Sequence, residues 1–191
     1  SIYNHLKTLY DYVQSNKKVA GYTGLKYGER LIFDIDRLTN PDRGLKDLNL
    51  FLDGLHYSYG VDYDQILVHF SGYKGFHVCL SEEQFGGWEP SEHLHRLHGK
   101  LAEEIAKETA TVIDMAIYTE NRMIRIPDTK HSESGLYKVE IPMSMIRRGD
   151  IKPIFERAKA PCGSQFPFEF LECKSLKLLW YDVRTNFRFS D

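Results

Sequence analysis

Asp34 and Asp36 stand two residues apart in the run Leu31-Ile-Phe-Asp-Ile-Asp36. Alternate side chains of a β-strand share a face, so both carboxylates project together while Phe33 and Ile35 point into a core. Paired carboxylates on an apolar strand repel each other and are costly unless a cation lies between them. Mg²⁺ or Mn²⁺ favours such oxygen ligands and keeps positions open for water and phosphate. Asp114 offers a third carboxylate inside another apolar run, Thr111 to Tyr118, which reads as a strand. An Asp-x-Asp that merely ends a strand in solvent is the plain alternative for the first pair.

The segment Ser71-Gly-Tyr-Lys-Gly-Phe-His77 carries the second constellation. Gly72 and Gly75 let a backbone approach a ligand closely and present N–H donors to an anion. Lys74 supplies a point charge suited to phosphate. His77 can donate a hydrogen bond to a phosphate or act as an acid. After Asp114 comes a basic stretch with Arg122, Arg125, Lys130, His131 and Lys138. Arg122 and Arg125 are three apart, so aiming both at one ligand requires a bulge or a strand end. Cations beside an acidic metal site make sense together when the ligand is a metal-bound triphosphate. A glycine-rich turn and a solvated basic loop are the alternatives.

These residues need elements to hold them. Residues 1–20 read as a helix broken at Gly21 and Gly24, and 31–36 as a strand. Residues 44–59 repeat apolar side chains at three and four, which predicts a helix. Residues 65–70 and 76–80 read as strands of a hairpin around the 71–75 turn. A helix is expected over 91–109, with Ser91 as its N-cap, then strands over 111–118 and 136–141. A short helix lies within 142–160, 161–170 is irregular, and 174–181 is ambiguous. The result is an α+β fold with a largely antiparallel or mixed sheet.

Composition narrows the class without naming it. Hydrophobic residues make up 42% of 191, ordinary for a globular core. No apolar run is long enough to span a membrane, so no membrane partner is expected. The net charge of -2 gives no bulk attraction to nucleic acid, so any such binding needs locally clustered charge. Cys79, Cys162 and Cys173 lack disulfide or zinc spacing and read as free thiols in a reducing cytoplasm. His93, His95 and His98 read as a solvated helix face.

The order of the motifs carries more than any one of them. FDID (33–36), FSGYKGFHV (70–78) and VIDMAIYTENRMIRIPDTKHSESGLYKV (112–139) resemble the three signature motifs of the archaeo-eukaryotic primase superfamily. The second is similar to the form seen in primase-polymerases of phages, plasmids and mobile elements. YTENRMIR is similar to the stretch after the third motif in eukaryotic-type primase-polymerases. The resemblance spans roughly residues 30–140. It implies one catalytic domain over 1–191, excised from a longer protein, in which an RRM-like sheet packs with a second α/β unit. It implies template-directed addition of nucleotides to a 3′-hydroxyl, with primer synthesis as a further capacity, in the cytoplasm or, in a eukaryote, the nucleus or mitochondrion. Asp34, Asp36 and Asp114 would be the catalytic metal ligands for Mg²⁺ or Mn²⁺. Ser71, Gly72, Lys74, Gly75, His77, Arg122, Arg125 and Lys130 would bind the nucleoside triphosphate. Single-stranded or primed DNA, an accessory C-terminal domain and a helicase are the implied partners. No zinc-binding module of the family is evident in the sequence.

Two other classes compete. A non-catalytic nucleic-acid-binding module would keep the sheet without turnover. A metal-dependent nuclease would use the carboxylates without needing a triphosphate grip. Template contact would fall to Arg147, Arg148, Lys152, Arg157 and Lys159.

Overall fold

The alternation around Asp34 is realised as a strand. In the computed structural model, which describes residues 28–36, 40–119, 124–163 and 169–187, strand β1 runs Arg30–Asp36. Leu31, Phe33 and Ile35 are fully buried on one face, and Asp34 and Asp36 lie on the other. Strands β2 (Leu67–Phe70), β3 (Gly75–Ser81) and β4 (Val139–Glu140) complete a sheet in the order β1-β3-β2-β4. Every neighbouring pair is antiparallel. The hairpin expected around 71–75 is the β2–β3 pair.

One sheet face is apolar throughout. Phe33 and Val78 are register partners, as are Val68 and Val78, and Phe70 pairs with both Phe76 and Val139. Helix α1 (Pro41–Tyr59) and helix α2 (Leu94–Glu108) cover that face. Asn40 opens α1 by accepting the Arg43 N–H at 3.1 Å, and Pro41 takes the first position, where its missing N–H costs nothing. Gly60, at φ 74°, ends it in the left-handed conformation that glycine adopts freely. Leu45, Leu48, Phe51, Leu52 and Leu55 form the buried stripe, with the Phe51 ring 4.9 Å from Phe33. Gly54 lets α1 meet the end of α2: a Cβ there would stand 2.7 Å from the Thr109 side chain.

Helix α3 (Met143–Arg147), helix α4 (Lys152–Arg157) and helix α5 (Lys174–Asn186) follow. The described residues therefore form a mixed α+β fold with a four-stranded antiparallel sheet and five helices. No helix among them is long and apolar enough to cross a membrane.

Several sequence expectations change. Residues 111–118 are not a strand: 111–114 run without a ladder, and Met115–Tyr118 form a single 3₁₀ turn. Val112 is 66% exposed and Met115 40% exposed while Ile113 and Tyr118 pack against the core, so the run does not present the alternating buried face of a strand. The strand at 136–141 shrinks to Val139–Glu140, with an isolated bridge between Lys130 and Tyr137. The helix expected from Ser91 begins at Leu94; the Ser91 hydroxyl instead accepts the His93 N–H at 3.2 Å in the preceding turn. His98 is buried against Trp88, 4.5 Å between ring centroids, rather than solvated. The ambiguous 174–181 belongs to α5. The helix expected over 1–20 lies outside the described residues.

Phe51→Ala is expected to destabilise the fold by about 3–5 kcal/mol, since it removes a fully buried ring between helix and sheet. Leu50→Ala, at a position 64% exposed on the same helix, should stay within about 0.5 kcal/mol. Urea denaturation of both variants checks the contrast.

Candidate functional site

The polar residues gather on the sheet face away from the helices. Antiparallel pairing sets Asp34 opposite His77 and Asp36 opposite Gly75, and sets His77 opposite His69 on β2. His69 in turn faces Glu140 on β4. Asp34, His77, His69 and Glu140 thus form one row across all four strands. The His77 Nε2 lies 3.7 Å from the Asp34 Oδ1.

The turn 71–75 is closed on itself. The Ser71 N–H donates to the Gly75 carbonyl at 2.9 Å, and the Ser71 hydroxyl accepts the Gly75 N–H at 3.1 Å. Gly75 is required by contact: a Cβ would stand 2.7 Å from the Ile35 carbonyl oxygen. Gly72 is required by both φ, at 84°, and contact, with the Leu136 carbonyl 3.0 Å from where its Cβ would be. Ser134 donates its hydroxyl proton to the Gly72 carbonyl. Segment 134–137 therefore braces the turn from outside. Lys74 projects beyond it, its ammonium 4.3 Å from the Tyr73 ring centroid, and Tyr73 stacks on His131 at 4.7 Å.

Asp114 reaches the sheet although its segment is no strand. Its N–H donates to the Asp34 carbonyl at 2.8 Å, which fixes it at the outer edge of β1. Its carboxylate accepts the Ala116 N–H at 2.8 Å. The Asp36 carboxyl is pushed above its ordinary value, first by the protein around it and then by Asp114, with Lys74 opposing both. Asp36 and Asp114 therefore sense each other as like charges, and Lys74 faces the pair. Asp34 is turned toward His77. Among the described residues no three His, Cys, Asp or Glu side chains converge tightly enough to hold a metal. A two-carboxylate site nevertheless fits Mg²⁺, which is commonly bound by one or two carboxylates with water and phosphate completing its shell. Asp36 and Asp114, which interact as like charges, are the two that would hold such an ion.

The cations divide. Arg125 reaches the turn, donating from Nη1 to the Ser71 carbonyl at 2.7 Å. Lys138, buried to 3% exposure, donates to the Arg125 carbonyl at 2.7 Å. Lys130 is exposed near Tyr137, 5.8 Å from its ring, and is not drawn to the turn. Arg122 lies outside the described residues. In the region expected to grip template, Arg147 pairs with Asp53 at 2.8 Å, Arg157 donates to the Glu140 carbonyl at 2.7 Å, and Lys159 pairs with Glu156 at 2.7 Å.

His69 is the residue that sequence reading passed over. It sits in an apolar strand, and only register reveals that it backs His77. Burial lowers the pKa of His69 to about 3 and that of His77 to about 3, with Lys138 the next cause in both. His77 is therefore neutral near pH 7, a hydrogen-bond donor rather than an acid. Among the described residues neither nitrogen of His69 has a hydrogen-bond partner, nor has Nδ1 of His77.

Because these folded-state values lie below the ordinary 6.5, the unfolded chain takes up protons that the folded chain refuses. Stability is thus expected to be full above pH 6.5 and to fall as pH drops from 6.5 toward 3. His69→Gln should flatten that fall, measured by urea midpoints across the pH series; an unchanged slope would assign the loss to other groups. No family model matches this sequence, and no curated protein matches it.

Proposed function

We propose that this chain is a template-directed nucleotidyltransferase of the primase-polymerase kind, its four-stranded sheet corresponding to the RRM-like part of such a core. The observation that carries the reading is the convergence of three separate sequence motifs at one end of the sheet. Asp34 and Asp36 come from β1, the Ser71–His77 turn abuts them, and Asp114 is tied to Asp34 by a backbone bond. The supporting feature is the mix of charge: a carboxylate pair beside Lys74 and Arg125 suits a ligand that is at once metal-bound and polyanionic.

In this reading Asp36 and Asp114, with Asp34 beside them, would hold Mg²⁺ or Mn²⁺, whose charge would activate a 3′-hydroxyl and neutralise a departing pyrophosphate. Lys74 and Arg125 bind the triphosphate and align its α-phosphorus for in-line attack. Neutral His77 donates one N–H to a phosphate oxygen. The N–H groups of the glycine turn add further donors. Base choice is left to pairing with the template.

A non-catalytic nucleic-acid-binding module is the second reading, favoured by the incomplete convergence of the three carboxylates. Extension of a labelled primer separates the two. Asp36→Asn and Asp114→Asn should each lower extension by roughly 10³-fold, the scale of several kcal/mol of charge stabilisation. Asn keeps the capping contact to Ala116, and loss of the like charge should leave the denaturation midpoint unchanged or raised. Near-normal extension by either variant in Mg²⁺ would sink the metal assignment.

Template binding by this chain should be weak. The net charge is -2, and Arg147, Arg157 and Lys159 already have acceptors within the fold. Few phosphates are then neutralised, so affinity for single-stranded DNA should fall only shallowly with salt, by roughly 0.7 log units per tenfold salt for each phosphate contacted. A salt titration showing a steep slope would mean that the described surface holds its template unaided.

A further inference from the structure

Among the described residues Lys138 is the one buried lysine or arginine. Its ammonium is buried with the residue 3% exposed, yet its one hydrogen bond among the described residues is to a main-chain carbonyl, that of Arg125. Among the described residues no carboxylate comes within ion-pair distance of it. Its nearest electrostatic neighbours include two further cations, Arg125 and Arg30, against the carboxylate of Asp34 and the thiol of Cys79. A buried ammonium so poorly compensated works against folding, and an apolar side chain of similar length would serve the core better. Groups that break the packing rules in this way mark functional positions.

The contacts say which position it serves. Lys138 holds the main chain of Arg125 at 2.7 Å, and the Arg125 guanidinium holds the Ser71 carbonyl at 2.7 Å. Ser71 closes the turn that carries Lys74. The backbone of Lys138 is itself fixed on both sides: its N–H donates to Thr129 at 3.0 Å, and its carbonyl accepts from Asp128 at 2.7 Å. Lys138 is thus the inner end of a strut that runs from the start of β4 through Arg125 to the hairpin turn.

We propose that Lys138 is a positioning residue for a polyphosphate anion, fixing Arg125 at the turn and adding a buried positive charge beneath the place where the phosphates lie. This rests on the nucleotide-binding reading above. It separates two duties: Lys74 and Arg125 touch the ligand, and Lys138 acts through Arg125 and through its field. Because the charge is buried, solvent and salt screen it less than they screen Lys74.

The test compares Lys138→Met, Lys138→Gln, Arg125→Ala and the Lys138→Met/Arg125→Ala pair with the unaltered chain. Binding of a Mg²⁺-nucleoside triphosphate and of the matching monophosphate is titrated, alongside primed DNA and the urea midpoint. Lys138→Met should keep or raise the midpoint, weaken triphosphate about tenfold, and leave monophosphate and primed DNA nearly unchanged. Lys138→Gln, which retains a donor to Arg125 but no charge, should fall between. The double variant should lose more than Arg125→Ala alone but less than the two single losses summed, since Lys138 acts partly through Arg125 and partly through its own charge. Triphosphate affinity within twofold of the unaltered chain in Lys138→Met, or in Lys138→Gln if the first fails to fold, overturns the inference alone. Equal losses for triphosphate, monophosphate and DNA overturn it too, by reducing Lys138 to a structural part. Absence of triphosphate binding by the unaltered chain overturns the nucleotide-binding reading and this inference with it.

Discussion

The antiparallel register of β1 against β3 is the constraint on which the rest depends. It sets Phe33 against Val78 on the helix-covered face and Asp34 against His77 on the other. A slip of one residue would turn every side chain of β1 over, burying Asp34 and Asp36 under α1 and exposing Phe33 and Ile35. The apolar core therefore enforces the site: the same burial that holds α1 and α2 to the sheet keeps the carboxylates aimed away from them. Gly75 sharpens the constraint, because only a residue without a side chain lets β3 pass the Ile35 carbonyl at the level of Asp36.

The polar face is organised by charge rather than by packing. Asp34, Asp36 and Asp114 lie at the outer edge of β1, and Lys74, Arg125 and Lys138 lie about the hairpin turn and the start of β4. Lys138 and Arg125 both depress the pKa of His77, and Lys74 pulls against the upward push on Asp36. A chain of net charge -2 can in this way still offer a polyanion a positive seat. Farther out, Arg147, Arg157 and Lys159 are held by Asp53, the Glu140 carbonyl and Glu156.

Much of this was legible in the sequence where a period or a special residue wrote it. The alternation around Asp34, the glycine turn and the three–four repeat of α1 each name an element through local physics. Asp114 was found, but in the wrong setting. Val112 to Tyr118 has strand-forming residues without a strand's partner, and propensity cannot see that β1's outer edge is met by one backbone bond and a 3₁₀ turn. His69 and His98 were misjudged or passed over because burial of a histidine depends on what folds over it. Lys138 was legible as one more basic residue, and its role was not, because that role lies in the acceptor its ammonium finds.

The manner of Asp114's attachment bears on how three carboxylates that do not converge can still serve one ion. Asp34 and Asp36 are fixed by a full ladder of strand pairing. Asp114 hangs from the Asp34 carbonyl by its own N–H, and Tyr118 donates its hydroxyl proton to the Ile32 carbonyl two residues back along the edge. Tyr118 is seated in turn on α2, where Gly99 leaves it room: a Cβ at Gly99 would stand 3.2 Å from the tyrosine Cβ. The segment is thus pinned at two points with a single short turn between them and by Ile113 against the core, while Val112 and Met115 face solvent. A carboxylate on such a tether can shift a short way without unmaking the sheet, whereas one inside a ladder cannot. Like charge now pushes Asp36 and Asp114 apart, and a divalent cation between them would reverse that force. In the proposed reading convergence would belong to an ion-bound state, and the energy gathering the three oxygens would come from the cation rather than from the fold.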